Sequence, residues 1–266
     1  MLRWTHSFGS AKDVATDGVG NIFAVGQFSG LISSFPASAT LESAGGTDGF
    51  VESLTSTGAY RWALRVGGSG NDRVLGVSAD ASGNVYVIGE FSGTVDLGGG
   101  LVTSVGMEDT FISCYSGSGL FRWTRHFGSM LGDRPTKITN DPSGNVYVTG
   151  QTPLTVDFGG VTIRPGGYIV SLSSTGIFRW SRSLGGSSGG FFLDGIRSDA
   201  SGNVYIAGGF SGTNPVDLGA GRVMGGGDFY TIVLASYTPL GSYRWGQAFG
   251  GSRSIDVAEA LVLMAA

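Results

Sequence analysis

The sequence predicts an all-β chain built from repeated four-stranded antiparallel units, and three observations predict it. The first is a phrase written four times: DASGNVYV at 80 to 87, DPSGNVYV at 141 to 148, DASGNVYI at 199 to 206 and a worn copy, DGVGNIFAV, at 17 to 25. The second is the dipeptide Arg-Trp, at Arg3-Trp4, Arg61-Trp62, Arg122-Trp123, Arg179-Trp180 and Arg244-Trp245, with gaps of 58, 61, 57 and 65 residues between tryptophans. These account for every Trp in the chain, and an apolar residue with Gly-Gly or Gly-Ser follows each at a fixed offset. The third is that no segment sustains apolar residues at a 3.6-residue period, while short runs of Val, Ile, Phe, Tyr and Thr alternate between Gly, Ser, Asp and Asn clusters.

Each unit contains four such runs. In the second unit they are DRVLGVSAD (72 to 80), GNVYVIGEF (83 to 91), DTFISCYS (109 to 116) and LFRWTRHFG (120 to 128). The repeated phrase lies between the first and second runs. Asp there can accept hydrogen bonds from the backbone two residues on, and Gly reaches positive φ without steric cost. A tight hairpin follows, with Gly83, Gly144 and Gly202 as left-handed residues. Tyr86, Tyr147, Tyr205 and Phe23 then share one face. Turns at 55 to 58, 116 to 119 and 173 to 176 join the third and fourth runs, so each unit is one antiparallel meander.

A four-stranded meander cannot bury both faces alone. Stacking such sheets face to face about an axis solves this, and that is the β-propeller arrangement. The expected fold is one propeller domain over 1–266. Its four full blades are repeats near 4–61, 62–122, 123–179 and 180–244, with a partial repeat at 245–266. Two extra strands remain, MLRWTHSFGS at the start and SIDVAEALVLMAA at the end. The Trp of each fourth strand is expected to fill the gap between neighbouring blades, and the Arg before it to stack on a ring or pair with an acid of the adjacent blade. The aromatic before that Arg (Tyr60, Phe121, Phe178, Tyr243) is expected on the same face as the Trp.

At the level of GSGNDRVLGVSADASGNVYVIGEFSGTVDLGGG (68 to 100) and EDTFISCYSGSGLFRWTRHFG (108 to 128), with their counterparts, the chain resembles the SBBP-type β-propeller repeat of bacterial surface and secreted proteins. The resemblance implies a propeller fold and an extracellular or cell-surface setting, and it brings no catalytic motif. The first repeat departs from it: FSGLISSFPASATLESAGG (28 to 46) stands where the others carry VDLGG.

Composition narrows the function classes. Charged residues are 14% of the chain and the net charge is −4, with Lys12 and Lys137 the only lysines. No basic run exists, which speaks against nucleic acid as a partner. No apolar stretch approaches the roughly 18 residues of a membrane helix, so membrane insertion is not expected. The N-terminus lacks the apolar core of a signal peptide. The single cysteine, Cys114, cannot form an intrachain disulfide.

Candidate chemistry is sparse. His6 and His126 sit at different offsets from their Trp and form no repeated pair. Cys114, in FISCY, reads as a small core residue. No HExxH, GxSxG or Walker pattern occurs, so no catalytic or cofactor-binding residue is assigned. Acids recur in four sets. Asp13, Asp72, Asp133 and Asp256 precede the first strand; Asp17, Asp80, Asp141 and Asp199 occupy the hairpin. Asp96, Asp157 and Asp217 sit in V-D-(L/F)-G, and Asp48, Asp109 and Asp228 open the third strand. The hairpin set reads as turn caps, the third-strand set as hydrogen-bond acceptors to backbone of the neighbouring blade. Calcium on a ring of such acids is the one cofactor to consider, although the D-x-D-x-D alternation of calcium loops is missing.

The two terminal strands fit either an incomplete closing blade, a fragment of a longer protein, or a gap filled by another subunit. In the last case the contact is head-to-tail and generates rings or filaments. The expected function is therefore a non-catalytic structural or scaffold propeller whose partner is itself. The alternative is a module binding carbohydrate or peptide through the divergent segments 28 to 46 and 213 to 228.

Overall fold

A computed structural model describes residues 10–34, 39–185, 191–211, 216–219, 222–223 and 230–249. Among them every regular element is a strand. Four four-stranded antiparallel sheets follow one another, each with its strands in chain order. Sheet I is built from Ser10–Thr16, Ile22–Phe28, Asp48–Leu54 and Tyr60–Val66. Sheet II comprises Arg73–Ala79, Asn84–Asp96, Leu101–Ser116 and Phe121–Phe127. Sheet III comprises Arg134–Asn140, Val146–Thr152, Gly166–Leu172 and Phe178–Leu184, and sheet IV Phe191–Ser198, Val204–Ser211, Tyr230–Tyr237 and Tyr243–Phe249. The expected all-β class and the four meanders of β-propeller type are thus present. Of the predicted terminal strands, 1–10 and 254–266, only Ser10 is among the described residues, and it opens the first strand of sheet I.

Both turn classes form as their residues dictate. In the first-to-second hairpins Gly20, Gly83, Gly144 and Gly202 adopt φ of 83°, 79°, 76° and 77°. In the third-to-fourth turns Gly119 donates to the Ser116 carbonyl at 2.9 Å, and the Ser116 hydroxyl accepts from Leu120 N. Thr55, Ser173 and Thr238 cap the other three turns in the same way. One feature exceeds the sequence reading. The V-D-(L/F)-G segment and its replacement both fold as a small hairpin between the second and third strands: Leu31–Ser34 with Ala39–Glu42, Val156–Asp157 with Thr162–Ile163, and Val216–Asp217 with Arg222–Val223. In sheet II the same hairpin is continuous with the main strands.

The chain divides into two compact units, Met1–Arg134 and Pro135–Ala266. In the first, Phe23, Val25 and Val51 of sheet I pack on Val77, Val85 and Val87 of sheet II. In the second, Tyr147, Ile169 and Leu184 of sheet III pack on Ile196, Val204 and Ile206 of sheet IV. Each fully buried large side chain of this kind contributes about 1.5–3 kcal/mol, so stacked sheet faces are the main source of stability in each unit.

Glycine has two separable jobs here. A Cβ on Gly83 would meet nothing within 4 Å, whereas a Cβ on Gly89 would lie 2.0 Å from the Arg73 carbonyl oxygen across the strand. Gly83→Ala therefore costs only backbone strain, about 1 kcal/mol. Gly89→Ala also forces the paired strand away and costs about 2–3 kcal/mol. Thermal melts of the two variants should show the second losing clearly more stability; equal losses would contradict this division.

Candidate functional site

The repeated phrase builds the same polar cluster in every sheet. Asp80 Oδ1 accepts from the backbone amides of Ser82 and Asn84, each at 2.9 Å. Its Oδ2 accepts from Asn84 Nδ2 at 2.6 Å and from the Tyr86 hydroxyl at 2.8 Å. Asp141 repeats all four contacts with Ser143, Asn145 and Tyr147, and Asp199 repeats them with Ser201, Asn203 and Tyr205. In the worn copy Asp17 keeps the backbone and asparagine contacts, and Phe23 stands in the tyrosine position. The turn-cap reading of this set therefore matches the geometry. At Asp199 burial opposes ionisation, but Asn203, Tyr205 and Ser201 outweigh it and hold the carboxyl below the usual range. The tyrosine link escaped the sequence reading, although the alternation D-x-x-x-N-x-Y carried it.

The arginine of the Arg-Trp marker joins this cluster. Arg179 Nη1 donates to the Tyr147 hydroxyl at 3.2 Å and to Ser171 Oγ at 3.0 Å, and Arg244 does the same to Tyr205 and Ser236. Arg61 donates to Ser53 Oγ at 2.7 Å and lies over the Phe23 ring at 5.9 Å. The expected stacking on a ring is present at all three. The expected acid of an adjacent blade is not their partner: each guanidinium bonds within its own sheet, and Arg179 and Arg244 reach Asp141 and Asp199 only through a tyrosine hydroxyl. In sheet II the serine position is held by Cys114, opposite Trp123 in the ladder. Burial pushes the Cys114 thiol up to about 12, with nearby Arg122 pulling the other way. That makes it an inert core group.

The tryptophans act between sheets. Trp62 Nε1 donates to the Gly117 carbonyl at 2.8 Å, in the third-to-fourth turn of the next sheet. Trp180 donates to the Pro239 carbonyl at 2.9 Å, in the equivalent turn of sheet IV, and Arg182 adds two bonds to the Gly241 carbonyl. Gly119 and Gly241 in these turns lie against the indoles, where a Cβ would sit 3.0 and 2.5 Å from ring atoms. The aromatic two residues before each Trp is on the opposite face, contrary to expectation. The ladder shifts register at the intervening Arg, so Phe121 pairs with Tyr115 while Trp123 pairs with Cys114. A bulge of this kind turns two residues that simple alternation would place together onto opposite faces. Arg3 and Trp4 lie outside the described residues.

The remaining acids divide by environment. Asp96, Asp157 and Asp217 cap their small hairpins through Gly98, Gly160 and Gly219 amides. Asp48, Asp72, Asp109 and Asp133 are fully buried. Each accepts from the amide four residues earlier: Ala44, Gly68, Val105 and Ser129. The third-strand acids thus accept from the backbone four residues before them in their own sheet rather than from a neighbouring blade. Asp13 lies within its first strand instead of before it, with Oδ2 accepting from Val77 N of sheet II at 3.0 Å. Asp228 and Asp256 lie outside the described residues.

These buried acids come in pairs. Asp72 N donates to the carbonyl of Thr47, beside Asp48, and Asp133 N donates to Glu108, beside Asp109. A base accompanies each pair: Arg65 Nη1 lies 3.6 Å from Asp48 Oδ2, and His126 acts on Asp109. The equivalent positions around sheet III hold Gly166, Phe191 and Ser183, so the two acids and the base are lost together. Burial pushes Asp109 above the usual carboxylate range, and the Asp133 charge adds to it against the opposing Val105 amide and His126. Asp72 is raised by burial in the same way, with Asp48 adding. Among the described residues no group of three or more His, Cys, Asp or Glu is placed to hold a metal ion.

His126 is exposed and meets the Phe91 ring edge-on at 6.0 Å; His6 lies outside the described residues. Of the divergent segments, the hairpin in 28 to 46 exposes Leu31, and only parts of 213 to 228 are described. The remaining feature is an open apolar groove of about 390 Å³ on sheet I, lined by Val14, Ile22, Ala24 and Leu54 with Lys12 and Asp13 at its rim. Val14 is 62% exposed there, whereas its equivalents Val77 and Ile196 are 4% and 0% exposed beneath the preceding sheet of their own unit.

No protein-family model matches the chain. It is 24% identical over 237 residues to an uncharacterized WD repeat-containing protein of Acanthamoeba polyphaga mimivirus, covering 72% of this chain and 17% of the relative. The chain therefore spans about one sixth of the length of that relative. A crystal structure of a protein of unknown function from Bacteroides caccae is similar at 12% identity and a TM-score of 0.43, over 90% of this chain and 81% of that one. The four meanders and the WD-repeat relative agree on a coarse statement: this is a β-propeller-type repeat protein.

Asp80→Ala removes a buried acceptor of four hydrogen bonds and should cost more than about 2 kcal/mol, while Tyr86→Phe, which copies the worn repeat, should cost about 1 kcal/mol. Denaturant titration of both variants checks the ranking. For Asp109 the folded carboxyl binds its proton more readily than the unfolded one. Its contribution is therefore present at low pH and is lost as pH rises from the unfolded value of 3.8 through the raised folded value. Asp109→Asn should flatten the decline of melting temperature with pH above 4, and an unchanged slope would contradict the assignment.

Proposed function

We propose that the chain is a non-catalytic structural scaffold of SBBP-repeat type, acting at the cell surface or outside the cell and associating with copies of itself head to tail. One observation carries this reading. The apolar face that is buried on sheets II and IV within their units is open on sheet I, where Val14 is 62% exposed. The repeated polar residues support it as well. Asp, Asn, Tyr, Arg and Trp at the repeat positions spend their hydrogen-bonding capacity on turns, strands and neighbouring sheets, which suits a framework rather than a reaction centre. The open face of sheet I and the differently built exposed strand of sheet IV give a contact between unlike surfaces, and such contacts generate rings or filaments.

Binding of a carbohydrate or peptide is the second reading, favoured by the hairpin Leu31–Ser34 with Ala39–Glu42, which differs in sequence from its counterparts and exposes Leu31 at 65%. Competable binding on glycan or peptide arrays, lost on replacing that hairpin, would favour it. The scaffold reading predicts a mass by light scattering that rises with protein concentration, and rings or fibres in electron micrographs. A mass that stays at 27.3 kDa over the whole range would contradict self-association.

A further inference from the structure

We propose that the fourth strand of sheet IV docks on the open face of sheet I of a second copy, with Trp245 Nε1 donating to the Ser56 carbonyl. The inference rests on the self-association reading and names its contact. Among the described residues, each unit contains one copy of this interface. In both, a fourth-strand indole donates to the second residue of the next sheet's third-to-fourth turn: Trp62 to Gly117 and Trp180 to Pro239. In both, the fourth residue of that turn is a glycine lying against the indole.

Each half of a further such interface is exposed. On the donor side Trp245 is 40% exposed and Phe249 47% exposed, whereas the positions equivalent to Phe249, Val66 and Leu184, are 2% and 1% exposed. On the acceptor side the turn Thr55 to Gly58 has the required geometry. Gly58 has φ of 84° and donates to the Thr55 carbonyl at 2.9 Å, as Gly119 and Gly241 do in the occupied turns. Ser56 is exposed, and the groove beside it is apolar. Gln247 occupies the place of Arg182, so its side-chain amide can reach the Gly58 carbonyl as Arg182 reaches Gly241. A surface that matches its partner by repetition needs no new recognition chemistry; the occupant fitted to it is another copy of the same strand.

The test uses two variants of the full chain, Trp245→Ala, which removes the donor, and Val14→Lys, which blocks the groove at an exposed position. Circular dichroism melts first confirm that both fold. In sedimentation velocity the wild type should form oligomers, each variant alone should be monomeric, and an equimolar mixture should give a species of twice the monomer mass. That last outcome arises because only one donor and one acceptor remain between them. Trp245→Phe, which keeps the ring and loses the N–H, should raise the dissociation constant about tenfold. If the wild type associates and both variants associate equally well, self-association stands and this contact is wrong. If the wild type is monomeric at every concentration, both readings fail, and the two faces are left for other repeats of a longer chain.

Discussion

A four-stranded antiparallel sheet with apolar side chains on both faces cannot be stable alone, and everything else in this molecule follows from that constraint. On the second strand of sheet II the successive residues Val85, Tyr86, Val87 and Ile88 are all fully buried, so both faces of the sheet carry apolar side chains. Each sheet must therefore be covered twice, and the chain meets the requirement by repeating one covering interface. The indole and its carbonyl partner set the angle and register of that interface, because a buried N–H without an acceptor costs about 1–3 kcal/mol. The apolar faces supply most of the energy.

The polar residues serve the same end from within each sheet. Asp fixes the first hairpin, tyrosine ties that hairpin to the second strand, and arginine ties the second strand to the third and fourth. A sheet stiffened this way presents a shaped face to its neighbour instead of a flexible one. The buried acids near the sheet junctions of the first unit add charge in a place where burial is costly. Around sheet III they are replaced as a set, and there Phe191 fills the space and stacks on Phe210. The two solutions show that the junction tolerates either a capped carboxylate pair or a packed ring.

Much of this was legible in the sequence because repetition averages out local ambiguity. The D-x-S-G-N phrase and its worn copy DGVGN located four hairpins and their left-handed glycines, since Asp and Gly at that spacing have few other uses. What stayed hidden depended on register. The bulge at each Arg of the marker put Phe121 and Trp123 on opposite faces, and no residue type announces a bulge of this kind. The tyrosine hydroxyl's bond to Asp80 needs the strand to curl back over its own turn. The loop caps of Asp48 and Asp109 depend on a segment that folds back over four residues, where alternation alone points to a neighbouring sheet. Cys114 in the serine position is visible only once the ladder aligns it with Ser53, Ser171 and Ser236.

The proposed contact makes the exposed face of sheet I and the exposed strand of sheet IV in a second copy complementary halves of the interface already present inside each unit. Hydrogen exchange followed at increasing protein concentration tests it most directly. Protection should rise with concentration in Ser10–Thr16, in the turn at 55–58 and in Tyr243–Phe249, with sheets II and III unchanged. Exchange that is independent of concentration in all three segments would contradict it.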